Sequence, residues 1–306
     1  ENGQLRSIHF RSGGVGRFYA SKSDSIICVS KNIKHTIFKY AKYTDVDIVK
    51  CFPSITTNVF KSIGKKLPAI TNYMENFDTG LGESIASKLT EDTNNPVTKD
   101  DVKWLYNSAS FGGGYSNWKK EMETDKPGYS KKQVASQPPS EFIEYQNEIR
   151  IVIDTIWDDN QPLYKHLRAN LDPKKVAEKD ASEDHAGNSN STWKWKNCVF
   201  SYWVTTLENH ILYSAYNHLV SEKVVKKGHV VLEYDGLCLP YDDDLVPMTD
   251  SILQGLNTYI QNRTGFTSLK FKIKPYKAYQ PNPELPNFCD AGYHEDIINE
   301  FNNADD

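Results

Sequence analysis

The chain has 306 residues, of which 38% are hydrophobic, 25% charged and 12% aromatic, with a formal net charge of -4. Disordered chains are poor in aromatics, so global disorder is excluded, and no apolar run approaches the roughly 20 residues of a membrane span. This length suits one large domain or two small ones, and a fold of this size hides about 75% of its unfolded surface.

Residues 1–43 hold eight Lys/Arg against two acids. The opening segment lacks the apolar core of a signal peptide. It begins at Glu1 rather than Met, as a processed product or a piece of a longer chain does. Within it, SGGVGRFYA (12–20) is glycine-rich, then basic and aromatic. Residues 42–49, KYTDVDIV, alternate into a β-branched run and predict a strand. CFPSI follows, and Pro53 suits the first turn of a helix. Residues 56–92 predict two short helices separated by turns. Thr98 and Asp101 form a capping box that opens a helix, and Phe111-Gly112-Gly113-Gly114 closes it. Residues 121–140 read as loop, 141–157 as a helix by apolar period, and 178–192 as a mobile loop. A second long helix, rich in aromatics, is expected over 198–220. Residues 229–240 carry a hairpin signal, VVLEY and LCL around a turn at Asp235-Gly236. Residues 251–280 hold five Lys/Arg and no acid, and 271–279 reads as an alternating basic strand. Residues 281–306 hold seven acids and no Lys/Arg, an acidic tail.

The order strand, helices, long helix, hairpin, strand is an α+β layout. It implies a small antiparallel sheet backed by helices, with a helical insertion between its first strand and its hairpin. The basic segments produce local fields that steer a polyanion despite the negative total; ordinary solvated faces are the alternative. The five cysteines (Cys28, Cys51, Cys198, Cys238, Cys289) form no CxxC pair. Neither a zinc knuckle nor a disulfide framework is expected, and reduced thiols fit a reducing compartment. The histidines, His210 and His218 included, form no metal or Ser/His/Asp set. Trp193 and Trp195 read as core rather than as base-stacking platforms.

Two aspartate groups sit at strand ends: Asp45 and Asp47 in TDVDIVKCF, and Asp235 in LEYDG. Carboxylates at adjacent strand tips can converge on hard divalent cations, which stabilise both the attacking and leaving oxygens of a phosphoryl transfer. An Asp-Gly pair at a hairpin tip can equally be only a type I′ turn. Lys99, Lys103, Asn107 and Phe111 are spaced four apart and share one helix face. Lysines near a helix N-terminus add to its positive dipole and offer a landing site for a triphosphate. A solvated lysine face is the plain alternative.

Together these pieces resemble the A-type DNA polymerases, especially the short divergent forms carried by viruses and mobile elements. Gly16-Arg17 resembles that family's Gly-Arg segment, TDVDIVKCFPSI its motif A, and LEYDGLCL its motif C. Lys99-xxx-Lys103-xxx-Asn107-xxx-Phe111-Gly112 resembles motif B, and the helix FSYWVTTLENHIL (200–212) its palm helix, with Glu208 and His210 as the polar residues. The resemblance covers residues 11–245. It departs from the family at Asn107, where an aromatic is usual, at Gly236, where Glu is frequent, and at Lys99, usually Arg. DIVKCFPSI also looks like the motif A of reverse transcriptases.

The resemblance implies a polymerase palm with a helical fingers insertion. Its parts would be palm over 1–58 and 196–280, fingers-like helices over 59–195 and the acidic tail over 281–306. It implies template-directed DNA synthesis with two Mg²⁺ ions, or Mn²⁺ as a substitute, on Asp47 and Asp235. Asp45 competes with Asp47 for the motif A position, and if Asp45 holds it Lys50 takes the place of Phe52; with Asp47 as the preferred ligand, Asp45 would help to hold the second ion or only orient the strand. Lys99 and Lys103 would hold the triphosphate, with Lys103 donating a proton to the leaving pyrophosphate. Asn107 and Phe111 would line the nucleotide site, and Phe52 would act as a steric gate. Phe111 and Tyr115 would pack on the templating pair, while Arg17, Glu208 and Tyr234 would meet the primer end. Partners would be primer–template DNA or an RNA template, deoxynucleoside triphosphates, and further replication subunits or an upstream region of the same chain, without a membrane. The place of action would be the cytoplasm or nucleoid, in a host cell if the chain is viral. A reverse transcriptase, a template-independent nucleotidyltransferase and a catalytically silent nucleic-acid-binding module are the alternatives.

Overall fold

The computed structural model of the chain describes residues 9–11, 15–20, 31–124, 131–181 and 191–276. The acidic tail, the residues before His9 and most of the 178–192 loop lie outside them. The architecture is α+β. The strand predicted at 42–49 forms as β3 (Thr44–Ile48), after a short antiparallel pair, β1 (His9–Arg11) and β2 (Phe18–Ala20), and helix α1 (Lys31–Tyr40). The predicted hairpin forms as β4 (Val231–Glu233) and β5 (Gly236–Leu239), and the basic strand as β6 (Phe271–Lys274). These four strands make one antiparallel sheet in the order β4-β5-β3-β6.

The two-residue period of a strand sorts this sheet into two faces. Val46, Ile48, Leu237, Leu239 and Phe271 share one face, each at most 3% exposed. They join a core with α2 (Cys51–Ser62), α10 (Ser191–Ser221) and α11 (Asp250–Thr264) through Ile55, Phe60, Ile211, Leu212 and Ile260. The opposite face carries Asp45, Asp47, Gly236, Cys238, Lys272 and Lys274.

Between β3 and the hairpin lies the helical insertion. It runs through α3 (Pro68–Asn76), a 3-10 turn (Phe77–Thr79), α4 (Leu81–Leu89), α5 (Lys99–Ala109), α6 (Tyr115–Met122), α7 (Ser140–Asp159), α8 (Gln161–Asn170) and α9 (Pro173–Asp180). Three helices therefore stand where two are expected before Thr98. Pro68 at the head of α3 and Gly80, at φ 133°, set the extra breaks. Helix α11 is not announced by the sequence, because its buried stripe is thin, Leu256 and Ile260, and the segment reads as basic. The capping box of α5 is present: Thr98 Oγ1 accepts from the Asp101 amide at 3.3 Å, and Asp101 accepts from the Thr98 amide at 2.7 Å. The helix ends before Phe111-Gly112, where Gly112 adopts φ 81°.

Helix α10 is longer than expected and, at 31 residues, spans about 46 Å. It packs in two places, against the main core and against a second cluster of Leu167, Leu171, Trp195, Cys198 and Val199. The expected borders after residues 58 and 195 fall inside α2 and α10, which run through them unbroken. Among the described residues, Cys51, Cys198 and Cys238 are buried free thiols. No described helix is long and apolar enough to cross a membrane.

Helix α3 has no capping side chain of its own at Leu67. Its first amides are met instead from α7: Glu148 accepts from Ala69 and Ile70, both at 2.9 Å. A carboxylate there satisfies orphan donors and complements the helix dipole. Glu148→Ala should therefore cost about 1 kcal/mol, as loss of a helix cap does, with Glu148→Gln costing less. Urea denaturation of the two variants checks this.

Candidate active site

Antiparallel pairing brings the two aspartate groups together. Asp47, near the end of β3, pairs across the ladder with Gly236, and the Ile48 amide donates to the Asp235 carbonyl at 3.0 Å. The hairpin turn is Tyr234-Asp235, with Glu233 opposite Gly236, so the expected turn at Asp235-Gly236 is corrected by one residue. Tyr234 takes the left-handed position, at φ 52°. Gly236 is needed in the ladder instead: a Cβ there would lie 2.1 Å from Asp47 Oδ1. Its missing side chain gives the Asp47 carboxylate its room beside the hairpin tip.

The carboxylates disturb one another. Burial, then the charge of Asp47, raises the Asp45 carboxyl to about 7. Burial, then Asp47 again, also raises Asp235. Lys274 offsets part of this, its Nζ lying 2.7 Å from Asp47 Oδ2. Burial works against the Lys274 ammonium, yet the hydrogen bond to Asp47 and the neighbouring carboxylates leave it held above its ordinary range. Hard oxygen donors short of positive charge suit a divalent cation such as Mg²⁺. Among the described residues, no three or more His, Cys, Asp or Glu side chains gather so that they could hold a metal ion. An open pair of carboxylates is the arrangement Mg²⁺ usually accepts, since it completes its shell with water and phosphate oxygens.

Beside the aspartates, Gly16-Arg17 docks on α10. The Gly16 amide donates to Thr206 Oγ1 at 2.8 Å, and Asn209 donates to the Gly16 carbonyl. A Cβ on Gly16 would meet Tyr202 at 2.8 Å, so the close approach requires glycine. Arg17 forms a two-pronged ion pair with Glu208, at 2.7 and 2.6 Å, and Glu208 is fully buried. Burial raises the Glu208 carboxyl to about 7 against the pull of Arg17. The guanidinium also lies 5.1 Å from the Tyr234 ring and 5.7 Å from the Phe52 ring. Arg17, Phe52, Glu208, Tyr234 and Asp235, from four stretches of the sequence, thus meet at one place. Tyr234 remains 53% exposed.

The α5 residues divide. Phe111 packs edge-on against Phe52, 4.4 Å between ring centres, which joins the end of α5 to the site. Lys103 and Asn107 stand exposed on the helix. Lys99 pairs with Glu83 at 2.9 Å and Asp78 at 3.7 Å. Asp78 also takes Lys50 at 2.8 Å, and the hydrogen bond from Lys50, with Lys99 and Lys272 nearby, lowers its carboxyl below the usual range. Tyr115 is placed in the core, its hydroxyl donating to the Ala135 carbonyl at 2.7 Å. His210 is exposed on α10.

Sequence reasoning missed that Lys274 meets Asp47 and that Lys50 meets Asp78. The alternation in FKIK marks Lys272 and Lys274 as one face, but only the β3–β6 register shows that the face is that of Asp45 and Asp47. No protein-family model matches this chain, and neither does the sequence of any curated protein.

Both buried carboxyls tie stability to pH. In the folded state Asp45 holds its proton to about pH 7, far above its ordinary range. The folded chain then binds more protons than the unfolded one between those limits, so its stability falls as pH rises through that window and levels above it. Asp45→Asn should be more stable than wild type at pH 8 and nearly equal at pH 5, in urea denaturation at both. Arg17→Met should cost about 3–5 kcal/mol at pH 8, where Glu208 is left buried and charged. The loss should shrink at pH 6, where Glu208 takes up a proton; equal losses at both pH values would show that the ion pair is not what holds this segment.

Proposed function

We propose that the chain is a template-directed DNA polymerase, transferring nucleotides to a primer 3′-hydroxyl with two Mg²⁺ ions. The observation that carries this reading is the meeting of Asp47 and Asp235 at adjacent strand ends. Arg17 and the exposed Tyr234 stand beside them.

Asp47 and Asp235 are the residues that would hold the ions, with Asp45 behind them as a positioning carboxylate. Bound divalent cations lower the pKa of a coordinated hydroxyl and neutralise a leaving pyrophosphate. The primer oxygen bonds to the α-phosphorus of the incoming nucleotide, and the bond to the pyrophosphate oxygen breaks. The protein has little covalent work to do, so alignment and charge carry the rate.

Each residue then has a task. Glu208 holds Arg17 in one orientation, and Arg17 with Tyr234 presents a flat cationic surface to the primer end. Phe52, braced by Phe111, fills the space beside the sugar. Lys50, Lys99 and Lys272, gathered around Asp78, form a cationic group next to the β3 end and would receive the triphosphate. Lys103, exposed one turn along α5 from Lys99, would supply the proton that the pyrophosphate takes up. DNA and deoxynucleoside triphosphates are the partners this reading assigns.

The test is extension of a labelled primer on DNA and RNA templates with Mg²⁺. Asp47→Asn and Asp235→Asn should each slow extension about a hundred- to thousandfold, the rate equivalent of several kcal/mol of lost charge stabilisation. Near-full extension by Asp235→Asn would overturn the assignment of the site. Absence of extension by wild type, with nucleic-acid binding intact, would leave a silent binding module in its place.

A further inference from the structure

A cleft of about 610 Å³ opens between the α5–α6 turn, α7 and the first turns of α10. Gly112, Arg150, Trp193, Lys194 and Asn197 are among the residues that line it. A second cavity of about 420 Å³ shares Lys194 and Asn197 and continues to Phe111. Phe111 touches Phe52 at the edge of the carboxylate site. The two cavities thus form one track leading away from that site.

The lining chemistry is selective. Among the described residues, no acidic side chain lines either cavity. Arg150 and Lys194 are exposed on the rim, and among the described residues neither makes an ion pair. Trp193 is half-buried with part of its surface in the cleft, unlike Trp195, which is 2% exposed in the core. Asn197 Oδ1 is buried without a hydrogen-bond partner. It is wedged against Gly112, where a Cβ would come within 2.4 Å of it. This oxygen is closed off from the cleft and does not select its ligand.

These features ask for two things at once: anionic groups for the two cations and a flat ring for the indole. A nucleotide supplies both. A positively charged groove with an aromatic platform is how single strands are held without regard to sequence. Two adjoining cavities open at the rim suit a strand better than one enclosed nucleotide, for which a single closed pocket would serve. We infer that this track binds single-stranded nucleic acid, as the unpaired part of the strand being copied; that last identification rests on the polymerase reading.

The test is fluorescence anisotropy with a labelled oligothymidylate of about 12 nucleotides, in EDTA, on the full chain. Arg150→Ala/Lys194→Ala should bind on the order of tenfold or more weakly. Its plot of log affinity against log salt should be shallower by about 1.4, the share of two phosphate contacts on a single strand. Trp193→Ala should weaken binding on the order of tenfold. Lys66→Ala/Lys227→Ala removes equal charge at exposed positions that line neither cavity, and should keep the wild-type affinity and slope. Unchanged melting curves would show that each variant is folded, and Arg150→Gln/Lys194→Gln serves if the alanine pair is not.

Wild-type binding by the Arg150/Lys194 pair, or no binding by wild type at all, would overturn the proposal. So would displacement of the oligomer by a free nucleoside triphosphate, which would mark a mononucleotide pocket instead. The assay contains neither metal nor primer end, so it stands apart from extension. Extension with binding unaffected by the track substitutions would sink the track alone. Binding lost in those variants, with no extension by wild type, would sink the polymerase reading and leave the track.

Discussion

The ladder between β3 and its two neighbours decides where almost everything else in the site lies. Asp47 faces Gly236 on one side and Lys272 on the other. These residues are far apart in the chain, yet backbone hydrogen bonds place them in one line. A slip of one residue in either ladder would send the aspartates into the apolar face and Val46 and Ile48 into the polar one. The apolar face, buried on α2, α10 and α11, therefore fixes the register, and the register fixes the carboxylates. Packing of the sheet and assembly of the site are one event.

That assembly has an electrostatic cost. Asp45, Asp47 and Asp235 are held close, partly out of water, and Glu208 is buried beside them. Burying carboxylates is unfavourable unless opposite charge is near. Lys274 meets Asp47 and Arg17 meets Glu208, while Asp45 and Asp235 are left with raised proton affinity. A fold optimised for stability alone would have no reason to concentrate acids here. On the function proposed above, a cation and the phosphates it brings would complete the site.

Helix α10 connects the separate regions. Its middle holds Gly16-Arg17 through Thr206, Glu208 and Asn209. Its apolar side completes the core under the sheet, and its first turns form one wall of the cleft with Arg150. Phe111 and Phe52 close the gap between the two regions. One helix of 31 residues thus links the carboxylate site and the cleft.

Much of this was legible in the sequence, because it depends on local chemistry. The α+β order, the strand at β3, the hairpin, the α5 capping box and the long helices all follow from periodicity and capping residues. The acids could be marked at their strand tips, with an ordinary turn or cap as the alternative, and Arg17 was marked only by the family resemblance. What the sequence could not disclose is pairing. That Gly236 belongs in the ladder to make room for Asp47, that Lys274 reaches Asp47, that Arg17 grips Glu208 and that Tyr115 belongs to the core rather than to the site are facts about residues distant in the chain. Such contacts are chosen by the burial of whole faces and the mutual placement of charges, and neither exists until the chain has folded.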